Sequence, residues 1–209
     1  MAFDEPFYRK MANQKWKQQD YKKAVDYYGK VLELSPEDFD IQLNYAQCLV
    51  KLNIGKKAER LFYENIVKDF HVAESFYELS QLNIELNEPN KAFLFGINYV
   101  LLTDDQDFRE VLEKTFEVTY TSEHKIELEA QLFATQLLFQ FLFSQGRLND
   151  ARAYILSQDE HIQSHRVIRN LLAMCYLYLS EYETAKEMFE ALLSEDNSDV
   201  IYPDLDDIL

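Results

Sequence analysis

The stretch Asp20–Pro36, DYKKAVDYYGKVLELSP, has the pattern of one amphipathic helix with its own start and stop signals. Asp20 is a residue type that caps helix N-termini, and Pro36 cannot continue a helix because it lacks a backbone N–H. Apolar residues recur between them at three- and four-residue spacing, which places them on one side of a helix. We therefore predict a helix from Tyr21 to about Leu34, with an apolar stripe formed by Ala24, Tyr28, Val31 and Leu32.

This pattern recurs along the chain at a fixed interval of about 34 residues, here called the repeat interval. Ala24 is followed at that interval by Ala58 and Ala92, and after a longer gap the same position holds Ala151 and then Ala185. The preceding helix repeats in step, with Ala12, Ala46, Ser80, Phe139 and Ala173 at its corresponding position. A unit of two short helices cannot bury its apolar side alone, so successive units are expected to stack on one another.

A helix–turn–helix unit of about 34 residues with small residues at fixed positions resembles the tetratricopeptide repeat (TPR) family. The resemblance implies an all-α fold: a right-handed α-solenoid of about five TPR-like helix pairs. It also implies a non-enzymatic scaffold or adaptor, in which the first helices of the pairs line a concave groove that binds a peptide or protein segment.

The longer gap, from Ala92 to Ala151, indicates one extra helix inserted after the third pair. Phe108, Val111, Leu112 and Phe116 keep helical spacing, so this segment is predicted as a helix that breaks the phase of the repeat. A long helix is expected from about 123 to 145, ended by Gly146. The predicted organisation is three TPR-like repeats over 1–106, the inserted helix over 107–121, two TPR-like repeats over 122–195, and an acidic C-terminal tail or cap over 196–209.

Two features depart from the repeat pattern. Gly96 occupies a position that the family usually fills with an aromatic residue, which indicates either a close backbone approach or a local packing fault. The segment 196–209 is interpreted as a cap, a disordered acidic tail or a truncated sixth repeat. A solenoid end needs its last apolar side covered, and this favours a cap that folds back through Val200, Ile201 and Leu205.

The composition excludes several classes of function. The formal net charge of −16 argues against nucleic acid and an anionic membrane as partners, because both attract basic proteins. The N-terminal sequence has no secretory signal pattern, and the most apolar run, Gln131–Ser144, is too short to cross a bilayer. Cys48 and Cys175 are predicted to be reduced packing residues. These observations predict a cytoplasmic protein.

No arrangement of residues indicates catalysis. The sequence contains no nucleophile motif, no phosphate-binding glycine loop and no CxxC. His161 and His165 have the spacing of two metal ligands on one helix, but HIQSH lacks the glutamate of a zinc-peptidase motif. We therefore expect no catalytic residues, no metal and no cofactor.

The resemblance also implies which side chains line the groove, namely positions 2, 5, 6, 9, 12 and 13 of each repeat. With repeats that begin at 5, 39, 73, 132 and 166, the lining is basic at its N-terminal end, mixed at its centre and apolar at its C-terminal end. Leu137, Leu171 and Leu177 belong to the apolar end. The candidate groove residues are Arg9, Asn13, Trp16, Lys17, Asn44, Gln47, Lys51, Tyr77, Gln81, Gln140, Phe143, Asn170, Met174 and Tyr178.

Part of this set resembles the carboxylate clamp by which chaperone-binding TPR proteins hold a peptide C-terminus. Arg9, Asn13 and Asn44 match its first three members in type and spacing. The last two basic positions of the clamp fall on Glu74 and Glu78, which would repel a terminal carboxylate. Recognition of some other peptide or protein segment is therefore the favoured prediction.

Two alternatives remain. Large exposed apolar surfaces usually mark interfaces, so the apolar end of the groove would also suit a homodimer formed through Leu137, Phe143, Leu171 and Leu177. The acidic character would also fit a bacterial chaperone-type TPR protein for secretion substrates. The sequence does not identify the partner.

Overall fold

The computed structural model describes residues 4–116 and 123–195. Within these ranges the chain forms helices and no strand, which confirms the predicted all-α class. The expectations for residues 117–121 and for the tail over 196–209 lie outside the described residues. The helices are α1 Glu5–Lys17, α2 Tyr21–Leu34, α3 Phe39–Lys51, α4 Gly55–Val67, α5 Val72–Glu85, α6 Pro89–Thr103, α7 Gln106–Phe116, α8 Glu123–Ser144, α9 Leu148–Leu156, α10 Glu160–Gln163, α11 Arg166–Tyr178 and α12 Tyr182–Ser194.

The chain divides into two compact units, Met1–Glu123 and His124–Leu209. The first, here called the N-terminal unit, contains α1 to α7. The second, here called the C-terminal unit, contains α9 to α12 and all of α8 except its first residue.

Aspartates start four of the helices in the N-terminal unit. The Asp4 carboxylate accepts a hydrogen bond from the Phe7 amide, and Asp20 accepts from Lys23. In the same way, Asp38 accepts from Ile41 and Asp105 accepts from Phe108. Each bond satisfies an amide that has no partner inside its helix, so the chain enters each helix at a defined residue.

Each helix of the N-terminal unit packs against the next one along the chain, from α1 to α7. The small residues that recur at the repeat interval lie at these contacts and are fully buried, because only a small side chain lets two helix backbones approach closely. These residues are Ala12, Ala24, Ala46, Ala58, Ser80 and Ala92, each 0% exposed. The Ser80 hydroxyl donates a hydrogen bond to the Ala92 carbonyl at 2.7 Å and joins α5 to α6.

In each of the five predicted helix pairs, the two helices are joined by a turn of the same type. Two residues before the second helix begins, the backbone has a positive φ. The amide of the following residue donates a hydrogen bond to the carbonyl five residues earlier, which is the Schellman ending of a helix. The residues with positive φ are Gln19, Asn53, Asn87, Gly146 and Ser180. The bonds are Asp20 to Lys15, Ile54 to Leu49, Glu88 to Asn83, Arg147 to Leu142 and Glu181 to Tyr176, between 2.9 and 3.0 Å.

Gly96 allows the extra helix to pack on α6. A Cβ atom placed on Gly96 would lie 2.5 Å from Leu112 Cδ1 of α7 and 3.1 Å from Ser80 Oγ. No side chain fits at that distance without a shift of its neighbours. Of the two interpretations of Gly96, the close approach is therefore correct, and the approaching group is Leu112.

The repeat interval continues through the extra helix, so the prediction that this helix breaks the phase is wrong. α7 begins one repeat interval after α5, and α8 begins one repeat interval after α6. The residues that lengthen the gap between Ala92 and Ala151 lie in α8, which has 22 residues. Ile126 follows Ala92 by one repeat interval, and Phe139 precedes Ala173 by one repeat interval. Both side chains are buried, so this one helix contains positions from the repeats before it and from the repeats after it.

In the C-terminal unit α9 and α12 each pack against α11. Ala173, Ala185, Phe189 and Leu192 form the centre of a buried cluster between α11 and α12. The short helix α10 was not predicted, and its Ile162 side chain is buried. No helix in the described part of the chain is both long and apolar enough to cross a membrane.

Candidate binding faces

The first helices of the N-terminal unit are α1, α3 and α5, and the side of these helices that carries the predicted groove residues is here called the N-terminal face. On α1 an open depression is lined by Glu5, Pro6, Arg9, Lys10, Asn13, Gln14, Lys17 and Gln18. Three predicted groove residues lie along it, and Asn13 and Lys17 are exposed. The Trp16 ring packs edge-on against the Tyr21 ring, with 5.4 Å between centroids.

Arg9 is held by two carboxylates of its own chain. Its Nε donates to Glu5 Oε1 at 2.7 Å, and its Nη2 donates to Asp38 Oδ2. Asp38 also caps α3, so Arg9 joins α1 to the start of the next first helix. A guanidinium already paired in this way has less charge to offer an added carboxylate, which weakens the resemblance to the carboxylate clamp.

The two asparagines of the clamp pattern each use one end of their amide. Asn13 Oδ1 accepts from the Tyr28 hydroxyl at 2.9 Å, and Asn44 Nδ2 donates to the Asp40 carbonyl at 2.8 Å. Within residues 4–116 and 123–195, Asn13 Nδ2 and Asn44 Oδ1 form no hydrogen bond. One donor and one acceptor therefore remain open on neighbouring first helices.

A polar contact joins α3 to α5. Gln47 Nε2 donates to Glu78 Oε1 at 2.9 Å. Burial raises the pKa of Glu78, the Gln47 bond and the charge of Lys51 oppose this, and the nearby Glu85 adds to it. The net pKa shift is upward, so the Glu78 carboxylate lacks part of its hydration and would gain from an added cation. Gln81, on the next turn of α5, forms no hydrogen bond in the described structure.

An aromatic cluster borders the same face. The Tyr77 ring lies 5.4 Å from the rings of both Tyr99 and Phe108, which lie 5.2 Å apart. The three rings join α5, α6 and α7, and Tyr77 remains 37% exposed.

α7 extends the N-terminal face, which sequence reasoning missed. Phe108 stands one repeat interval after Glu74, and Val111 stands one repeat interval after Tyr77. Val111 is 55% exposed and Phe108 is partly exposed. Counting the interval one step further would have found both residues.

In the C-terminal unit the corresponding face, here called the C-terminal face, lies on α8 and α11 and is aromatic. The Phe143 ring meets the Tyr178 ring edge-on at 5.0 Å and lies 5.4 Å from Phe139. Tyr178 is 54% exposed. Met174 packs against the core cluster of the unit and is partly exposed.

The polar candidates of the C-terminal face have few contacts. Gln140 is exposed, and Asn170 Oδ1 is buried without a hydrogen-bond partner in the described structure. Leu177 was expected to form exposed apolar surface, and this was wrong. It is 5% exposed because it packs with Ala173 and Phe189 in the core.

Two cysteines and one histidine, which are residue types that often carry chemistry, are buried or hydrogen-bonded here. The thiols of Cys48 and Cys175 are free and buried, and burial raises their pKa values to about 12 and about 11, so both stay protonated near neutral pH. His161 Nε2 lies 3.0 Å from Gln131 Oε1. Among the residues that the structure describes, no three His, Cys, Asp or Glu side chains are grouped as metal ligands.

Repeated helix pairs with one shared turn define a helical-repeat protein. The family model for the tetratricopeptide repeat matches the chain twice, over residues 15–62 and 168–199. Tetratricopeptide repeats therefore occur in both units of the chain.

The chain also resembles solved TPR structures at low sequence identity. MamA is 16% identical, with 95% of this chain and 98% of that chain covered and a TM-score of 0.41. YrrB, described as a TPR protein with an unusual peptide-binding site, is 18% identical, with 92% and 87% covered and a TM-score of 0.42. A TPR protein from Parabacteroides merdae is 15% identical, with 93% and 80% covered and a TM-score of 0.46. No curated protein matches the sequence.

Proposed function

We propose that the chain is a non-enzymatic cytoplasmic scaffold or adaptor that binds a peptide or protein segment along its first helices. One observation carries the proposal for the N-terminal unit: three successive first helices each present one amide with unused hydrogen-bonding capacity. These amides belong to Asn13 on α1, Asn44 on α3 and Gln81 on α5.

Such a row suits an extended backbone. Helix axes that pack side by side lie about 10 Å apart, and an extended chain advances about 3.3 Å per residue. An amide on each helix would therefore meet about every third residue of a bound segment, and primary amides can donate to its carbonyls and accept from its N–H groups.

The C-terminal face would contribute apolar contacts. Phe143 and Tyr178 form an aromatic ridge beside Met174. Exposed aromatic side chains supply large contact area at a small entropic cost and often dominate binding energy. The net charge of −16 supports a protein partner over nucleic acid, and the two free cysteines support the reducing location.

Site-specific photo-crosslinking tests the proposal for the N-terminal unit. A photoreactive amino acid replaces Gln81 in one sample and Arg60 in another, and both are exposed to the same cell lysate. Arg60 is a matched control because it is exposed on α4, a second helix. We expect discrete partner bands from the Gln81 position that are absent from the Arg60 position. Equal band patterns at both positions would contradict binding on the first helices.

Self-association is a second candidate, favoured by the exposed aromatic ring of Tyr178. If this ring forms a homodimer, light scattering will give twice the monomer mass for the natural chain and the monomer mass for Tyr178→Glu. A monomer at all concentrations would exclude this candidate. Leu177→Glu is unsuitable for this test because Leu177 lies in the core.

A further inference from the structure

The α1 part of the N-terminal face carries unpaired positive charge. Lys10 and Lys17 are exposed, and neither forms an ion pair with any residue that the structure describes. Arg9 is already neutralised by Glu5 and Asp38. The charged side chains that remain open to a ligand along this depression are therefore two ammonium groups, seven residues apart on one side of α1.

The α5 part of the same face carries negative charge. Glu74 and Glu85 are exposed and have no cationic partner in the described structure, and Glu78 lies between them, partly buried. Lys51 interacts with Glu78 but leaves the other two unpaired. The partly exposed Tyr77 ring beside them offers a surface for the aliphatic stem or the charge of a basic side chain.

The two charged ends lie two helix positions apart. α1 and α5 are separated by α3, so the distance is about 20 Å at about 10 Å per step. An extended segment covers about 20 Å with about six residues. Between the two ends the bound segment would cross α3, where Asn44 and Gln47 are neutral and the charge of Lys51 already acts on Glu78.

We infer, on the basis of the proposed function, that the N-terminal face binds an extended segment whose acidic and basic residues are segregated about six positions apart. The acidic residues lie over Lys10 and Lys17, and the basic residues lie over Glu74, Glu78 and Glu85. A uniformly acidic segment is attracted at α1 and repelled at α5, so the face discriminates against it.

Synthetic peptides of one composition test this inference. Each has nine residues: three Glu, three Lys and three Ser, so the centres of blocks placed at the two ends lie about six positions apart. Two peptides place the Glu and Lys blocks at opposite ends, in the two possible orders, and a third alternates the charges. Fluorescence anisotropy with the full chain at low salt measures each Kd. We expect the tighter-binding of the two block peptides to bind about tenfold more tightly than the alternating peptide, a difference of about 1.4 kcal/mol.

Paired charge swaps identify the surface responsible. Lys17→Glu combined with Glu85→Lys changes the α1 end from two positive charges to a net of zero and the α5 end from three negative charges to a net of one, so the preference should fall below about threefold. Lys22→Glu combined with Glu33→Lys makes the same net change on α2, where both residues are exposed, and should leave the preference intact. The tenfold preference should also disappear in about 1 M salt because exposed charges are then screened.

The outcomes separate this inference from the proposed function. Equal affinity for all three peptides, or a preference that survives the Lys17/Glu85 swap, overturns the charge inference. Absence of peptide binding overturns it as well, while partner bands at the Gln81 position would still support the proposed function. If no peptide binds and the crosslinker at Gln81 captures no partner, the charge inference and the proposed function are both contradicted. Capture of a second copy of this chain at Gln81 would overturn the inference in favour of a homodimer.

Discussion

The two units use one repeat frame but join their first helices by different chemistry. In the N-terminal unit the links among α1, α3 and α5 are polar: Arg9 with Asp38, and Gln47 with Glu78. In the C-terminal unit the link between α8 and α11 is the edge-on contact of Phe143 with Tyr178. The core positions that build the frame are small or apolar in both units, so the difference is confined to the exposed face.

This difference indicates which face would contribute selectivity and which would contribute affinity for a bound segment. Polar and charged groups reject a segment that leaves them unpaired, so they favour selectivity. Aromatic side chains gain binding energy from many sequences, so they favour affinity. The N-terminal face is therefore suited to selectivity and the C-terminal face to affinity.

The largest effect should come from a change inside one core. Phe189→Ala removes a buried ring from the cluster between α11 and α12 and should cost about 3–5 kcal/mol. Because repeat units depend mainly on their neighbours, amide hydrogen exchange should accelerate most in α11 and α12 and least in α1 and α2. Equal acceleration in all helices would show that the two units unfold together and not as separate units.

The next effect concerns the two glycines in helix interiors, Gly96 and Gly29. Gly96→Ala forces a methyl group against Leu112 and should lower the free energy of unfolding by about 1–2 kcal/mol, even though Ala favours helix. Gly29→Ala is the matched control, since a Cβ atom there has no neighbour within 4 Å, and it should stabilise by up to about 1 kcal/mol. Chemical denaturation measures both, and the same sign for the two changes would contradict the close packing of α7 on α6.

The two links themselves can be compared by double-mutant cycles. Ala substitutions at Phe143 and Tyr178 should show a coupling energy of about 0.5–1.5 kcal/mol, as aromatic pairs do. The same cycle at Gln47 and Glu78 measures a hydrogen bond to a carboxylate and should give about 1.5 kcal/mol. Thermal or denaturant unfolding supplies the four stabilities of each cycle. A coupling at either pair that is indistinguishable from zero would show that its contact does not join the two first helices.

The smallest effect is a pH dependence at Glu78. Burial raises the pKa of Glu78 above its ordinary value of 4.5, so the folded chain holds this proton more tightly than the unfolded chain. The free energy of unfolding therefore falls as pH rises from that value through the raised pKa. Glu78→Gln, which has no charge to bury, should raise Tm at pH 7 on the order of 1 °C, and this gain should vanish near pH 4. A lower Tm of Glu78→Gln than of the natural chain at pH 7 would contradict this prediction.

The helix positions and the contacts between helices were predictable because they depend on local sequence patterns. Start and stop residues placed α2 at Tyr21–Leu34, and the recurring alanines located the helix contacts, since a small residue at a fixed interval has the same neighbours in each repeat. The chemistry of the faces was less predictable. Arg9 meets Asp38 only because α1 lies beside the start of α3, and no periodic pattern in the sequence links these two positions.

Other differences also have physical causes. Leu177 fits a groove position by number, but its rotation on α11 places it in the core. α10 is too short for a periodic signal. Phe108 and Val111 were assigned to an insert because the surplus residues were placed before α8 instead of within it.

The most direct test of the binding account compares photo-crosslinking at four solvent-accessible positions in one lysate. Gln81, which is partly exposed, and Gln140, which is exposed, lie on first helices of the two units. Arg60 and Glu187 are exposed on second helices of the same units. We predict that partner proteins are captured at Gln81 and Gln140 and not at Arg60 or Glu187. Capture at the second-helix positions, with none at the first-helix positions, would contradict the account.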